Sequence, residues 1–174
     1  MNKQEIINKF VENHKAFIDY INTLDETKFT HSKDDKWTAG QQLDHIYRSV
    51  SPLTVAFSLP KFITKLVFGK ANRPSRTYEE VINKYQKKLQ EGGSASGRFI
   101  PKAIPFRAKD GLVKKIKKTL NILANQLERF DENQLDQIII PHPLLGKMTV
   151  REMMYFTIYH VEHHREITVR NLRK

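Results

Sequence analysis

Thr149-Val150-Arg151-Glu152-Met153 opens the C-terminal helix of this chain, and His160-Val161-Glu162-His163-His164 lies about two turns further along it. Thr149 with Glu152 three residues on is a capping box, in which each side chain accepts the other residue's backbone N–H. Met148 and Met153 stand at the two positions of a hydrophobic staple. The pattern predicts a helix to about Arg170. On it His160 and His164 are about 40° apart around the axis, so both imidazoles leave from one face. Two ligands of one metal ion need that geometry, and so does a hydrogen-bonded pair lining a helix interface. His163 falls about 60° away on the other flank, either at the edge of such a site or on the surface. Asp44 and Glu162 point away by the same helical count.

Working outward, the rest of the chain reads as helices separated by turn chemistry. Asn2 to Leu24 carries Ile6, Ile7, Phe10, Phe17, Ile18 and Ile21 near a 3.6-residue period. Asp34-Asp35-Lys36-Trp37 is a loop. Thr38 with Gln41 is a second capping box opening a second helix, which Pro52 is expected to kink or end. Pro60 to Gly69 forms a short helix with a basic edge. Thr77 with Glu80 opens a helix that stops at Gly92-Gly93, and Gly92 to Gly97 has flexible-loop composition. Asp110 is placed to cap a long helix through Leu112, Ile116, Leu120, Leu123 and Leu127 to Phe130. Ile138-Ile139-Ile140 is a short extended piece, and His142 sits between two prolines in the turn before the last helix, either packing that turn or approaching the rim of a cavity. The expected class is all-α, with four long helices and short accessory segments in the middle third, in one domain over residues 1–174.

The chain has no cysteine, which excludes a disulfide framework, a thiolate metal site and a Cys nucleophile. No apolar run approaches the ~18–20 residues of a membrane span, and the N-terminus enters amphipathic helix directly, so a soluble cytoplasmic protein is expected. The net charge of +11 is concentrated. Met1 to Phe57 holds seven basic and eight acidic residues, Ser58 to Lys118 sixteen against four, and Thr119 to Lys174 seven of each. The basic middle third is either a solvated face or a surface for an anionic partner. Its lysines are little interleaved with aromatics and no reader motif is visible, so nucleic acid is not the expected partner. Leu59 to Lys70 sets lysines beside Phe and branched aliphatics, as interfacial helices do.

His45 lies off the Leu43, Ile46, Tyr47 and Val50 stripe of its helix, with Gln41, Gln42 and Ser49 near it. It faces either a partly polar cavity or water. Trp37 is expected as a core anchor beside the capping box, the alternative being a ligand-stacking residue. Trp37-Thr38-Ala39-Gly40-Gln41-Gln42-Leu43-Asp44-His45 resembles the opening of the second helix in DinB-like proteins. His142-Pro143-Leu144-Leu145-Gly146-Lys147-Met148-Thr149-Val150-Arg151-Glu152-Met153, with His160-Val161-Glu162-His163-His164, resembles the closing signature of that superfamily.

The resemblance implies an up-down-down-up four-helix bundle, often a homodimer. It also implies a divalent metal held by three histidines, which here are His45, His160 and His164. The superfamily includes metal-dependent hydrolases and low-molecular-weight-thiol S-transferases. The expected function is thus a metal-dependent enzyme acting on a small molecule, by thiol transfer to an electrophile or by hydrolysis. The alternative is a non-catalytic module using the basic middle third on nucleic acid or an anionic membrane surface. Three imidazoles leave open positions on the metal, the catalytic pattern, with zinc the leading ion and nickel, iron or manganese also suited to imidazole. Water or thiol activated there is the nucleophile, and His163 is placed to assist from beside the ligands. Residues 58–105 match no motif of the superfamily, so substrate choice is expected to lie there.

Overall fold

Side-chain caps set most helix starts in the computed structural model, which describes residues 1–173. Asn2 and Glu5 close a capping box on α1 (Lys3–Asn22), and Asp25 caps the short α2 (Glu26–Thr30). Thr38 and Gln41 exchange bonds of 3.0 and 3.1 Å at the start of α3 (Ala39–Ser58). Next come α4 (Lys61–Phe68) and α5 (Tyr78–Gln90), the latter opened by the Thr77–Glu80 box and closed at Gly92, which adopts φ +88°. After two single 3-10 turns, α6 (Lys109–Glu128) and the short α7 (Glu132–Gln137) follow. Thr149 and Glu152 close the last capping box, on α8 (Val150–Leu172). The three boxes expected from sequence all form. Met148 and Met153 are both buried, as the staple requires.

Four expectations need correction. The chain is mostly helical but not all-α: β1 (Ile139–His142) and β2 (Gly146–Thr149) pair antiparallel, Ile139 opposite Thr149 and His142 opposite Gly146. A four-residue strand such as β2 carries too little alternation to be read from sequence. Secondly, of the two outcomes expected at Pro52 the end does not occur: α3 runs through it for six more residues. Leu53 and Phe57 beyond the proline are buried, and at roughly 1.5–3 kcal/mol each they offset its cost of about 3 kcal/mol. Thirdly, Asp110 does not cap α6. The helix continues directly from the 3-10 turn Phe106–Ala108, leaving Asp110 in its first turn, where a negative charge still favours the helix dipole. Lastly, Trp37 is half-buried and outside the core. Phe29, fully buried, takes the space beneath the start of α3, close enough that a Cβ on Gly40 would meet its ring at 2.8 Å.

The long helices pack α1 against α6 and α8, and α3 against α6 and α8, while α5 lies on α8. Phe10, Phe17, Leu43, Ile46, Ile116, Leu123, Ile158 and Val161 fill the space between them with almost no exposure. Contact between α3 and α8 is what brings distant histidines together. Part of the basic middle third is turned inward: Arg73 and Arg76 pair with Glu152, Lys84 reaches the Leu145 carbonyl, and Lys109 the Leu24 carbonyl. By contrast α4 buries only Thr64 and leaves Phe62, Leu66 and Val67 61–84% exposed. Among the described residues no single helix is long and apolar enough to cross a membrane.

Candidate metal centre

His45 projects from α3, and His160 and His164 from one face of α8. Their ring nitrogens meet at one point. His160 Nε2 lies 3.3 Å from His45 Nε2 and 3.1 Å from His164 Nε2. All three side chains are buried, and together they form a group able to hold one divalent ion.

The hydrogen bonds behind the rings decide which nitrogen offers a lone pair. His45 Nδ1 donates to the Phe99 carbonyl at 2.7 Å, and His164 Nδ1 donates to Gln42 Oε1. Both partners are acceptors only at those atoms, so in the neutral ring the proton sits on Nδ1 and Nε2 faces inward bare. Without an ion, His160 has one proton to offer on Nε2 and two lone pairs facing it. Tautomers fixed in this way are what a metal ligand requires, and the residues present therefore fit a divalent ion. Burial lowers the pKa of His45, against the Phe99 bond and the Asp44 charge. Burial first, and the neighbouring imidazoles second, hold His160 and His164 well below the ordinary histidine range. The neutral, metal-binding form is thus the resting form near pH 7.

Neighbouring positions complete the centre. Trp37 lies nearly parallel to His164, 13° between planes at 6.3 Å, and 5.1 Å from the His45 ring. It walls the site. His163 is outside the three-histidine group and half-buried, stacked on Tyr159 and edge-on to Tyr85. His142 does serve its turn, accepting the Leu144 and Leu145 amides at 3.1 Å each, and its ring also meets Phe156 at 4.4 Å. Burial lowers its pKa to about 4, with Lys84 adding to the effect. Asp44 stays out of the group as expected, but is buried, accepting Arg48 Nε at 2.6 Å and the Lys102 amide at 2.7 Å.

Sequence reasoning missed both outer acceptors. Gln42 is one helical turn before His45, which is a visible signal. The Phe99 carbonyl is main chain in a loop and leaves none. That loop, of flexible composition from Gly92 to Gly97, is tethered beyond it: Arg48 Nη1 donates to the Arg98 carbonyl at 3.1 Å and Phe99 follows. A cleft of about 1120 Å³ opens from the histidines, walled by α3, α5, the 94–99 loop, β1 and α8.

A buried group of three inward-facing imidazoles in a mostly helical protein defines a candidate metalloprotein. The sequence profile of the DinB superfamily matches residues 9–168, and the chain belongs to that superfamily. No curated protein and no solved structure matches the chain.

Proposed function

We propose that the chain is a metal-dependent enzyme in which His45, His160 and His164 hold one divalent ion, zinc first among the candidates. Its reaction is transfer of a low-molecular-weight thiol to an electrophile, or hydrolysis of a small substrate. The observation that carries this reading is the convergence of three buried Nε2 atoms, two of them, on His45 and His164, left with inward lone pairs by the Phe99 carbonyl and Gln42. A divalent ion at such a site lowers the pKa of water or of a thiol and so supplies a nucleophile at neutral pH. Among this chain's own residues, Gln42 and the Phe99 carbonyl orient the ligands. Trp37 and Phe156 keep water off the rings, and His163 stands at the cleft wall where a proton has to enter or leave.

The reading includes a four-helix bundle of α1, α3, α6 and α8, supported by their closed ring of pairwise contacts, with the up-down-down-up order that the family resemblance implies. It also includes a homodimer, which light scattering on the purified chain tests. For the centre itself, the protein is purified without a nickel column and its metal measured. About one divalent ion per chain is expected, with thiol-transfer or hydrolase activity that chelation abolishes and zinc restores. Less than one ion per several chains, with stability unchanged by chelator, rejects it.

Exposure of Phe62, Leu66 and Val67 on α4, beside Lys65 and Lys70, favours one second reading, a module that rests on an anionic membrane surface. Recovery of the protein in the floated fraction with phosphatidylserine vesicles would support it. Absence of the protein from the floated fraction at low salt removes it.

A further inference from the structure

The cleft is larger than activated water or a small thiol requires. Its volume of about 1120 Å³ lies just above the ~300–1,000 Å³ range typical of small-molecule sites. Leu53, Leu59, Phe68, Leu89, Leu144 and Phe156 make much of its wall. Such a surface rewards an apolar body and offers few partners to a polar one.

The charge of the wall is one-sided. Among the described residues no aspartate or glutamate lines the cleft, and its charged side chains are Arg48 and Arg98. Arg48 is already engaged, with Nε on Asp44 and Nη1 on the Arg98 carbonyl. Arg98 is different. It is exposed, its guanidinium lies 5.1 Å from the Phe99 ring centre, and it makes no ion pair among the described residues. It therefore presents an open guanidinium fork at the rim, one residue from the carbonyl that orients His45.

We infer that this cleft takes an anionic amphiphile: an acyl or aryl body along the apolar wall, with a carboxylate or similar anionic group on Arg98. This rests on the enzyme reading above and names the substrate class of the same site. The body supplies affinity, because each buried methylene tightens binding about fourfold. The head group supplies selection by sign of charge, since a cation at the same place meets the open guanidinium of Arg98 with no carboxylate in the wall.

Trp37 is the single tryptophan of the chain and lines the cleft, so its fluorescence reads occupancy directly. The full chain is titrated with octanoate, decanoate, dodecanoate and decyltrimethylammonium, each below its micellar concentration. Saturable binding is expected for the carboxylates, tightening about fourfold per methylene over the series. Decanoate should bind at least tenfold tighter than the ammonium of equal chain length. Arg98→Glu, at an exposed position, should weaken decanoate at least tenfold and erase that preference. The assignment is overturned if decanoate does not saturate, if the ammonium binds equally well to the native chain, or if Arg98→Glu leaves decanoate unchanged. Parallel titrations separate it from the metal reading. Decanoate binding by chelator-treated protein supports the assignment even where metal analysis has rejected the ion. One equivalent of metal bound without any decanoate binding overturns the assignment alone.

Discussion

Gln42 on α3 accepts the Nδ1 proton of His164 on α8, 122 residues later in the chain, while Nε2 of the same ring lies 3.1 Å from His160. The amide oxygen therefore determines which nitrogen of His164 is a lone pair. Gln42→Leu should weaken zinc binding by about 10–100-fold without abolishing it, measured by competition with a chromogenic chelator. Gln42→Glu keeps an acceptor at the same place and should hold affinity near that of the native chain. Equal affinity of the native chain and Gln42→Leu would show that the amide plays no part.

His163 and His164 are adjacent in sequence and different in position. His164→Ala removes one of three converging nitrogens and should leave less than a tenth of the native metal content. The chain should stay folded by circular dichroism, because the aliphatic core around Ile158 and Val161 is untouched. His163→Ala removes a ring stacked on Tyr159 outside the group, and metal content should remain near one per chain. The reverse pattern would mean that the other flank of α8 carries the centre.

Local chemistry was the legible part of this chain. A capping box is a contact between residues three apart, so Thr38–Gln41, Thr77–Glu80 and Thr149–Glu152 could be read without knowing any tertiary contact. The His160–His164 pair was legible for the same reason, its geometry being that of one helix. What the sequence hid depends on which surfaces meet. Trp37 looked like a core residue until Phe29 filled the space below Gly40. Pro52 looked like a kink or an end of the helix because its local cost is fixed, whereas the burial of Leu53 and Phe57 that lets α3 continue is tertiary. The Phe99 carbonyl that sets the His45 tautomer belongs to no side chain at all.

His14 on α1 is a buried histidine with no tie to the centre. Its Nδ1 donates to the Phe10 carbonyl at 2.7 Å, and its buried Nε2 has no partner among the described residues. Burial lowers its pKa from 6.5 to about 4, against the Phe10 bond. The unfolded chain accepts this proton first on acidification. The stability linked to His14 is therefore full above about pH 6.5 and is lost progressively as pH falls to about 4. His14→Leu should remove that slope, so that between pH 7 and pH 4 the variant loses about 2–3 kcal/mol less than the native chain in urea unfolding. At pH 7 the two should agree within about 1 kcal/mol, since leucine replaces an unpaired buried nitrogen with carbon. Parallel pH profiles would show that His14 does not carry this part of the acid response.

Glu152 separates stability from metal binding. Its carboxylate is fully buried and accepts Arg73 at 2.6 and 2.9 Å, the Arg76 amide at 2.7 Å and the Thr149 amide at 3.1 Å. Burial pushes this carboxyl up, and the Arg73 bond with the two amides outweighs it, so the net shift is downward and the group is ionised near pH 7. Glu152→Ala leaves Arg73 without its carboxylate and opens the capping box of α8, and should cost about 3–5 kcal/mol in urea unfolding. Glu152→Gln still accepts amide bonds but gives up the charge-assisted pair, and should cost about 1–3 kcal/mol. Neither change touches the ring of His45 on α3, or those of His160 and His164, about two and three turns further along α8. Under folding conditions both variants should therefore take up one metal ion with affinity close to native. If Glu152→Gln strips the metal while its unfolding curve stays native, Glu152 belongs to the centre rather than to the frame that carries it.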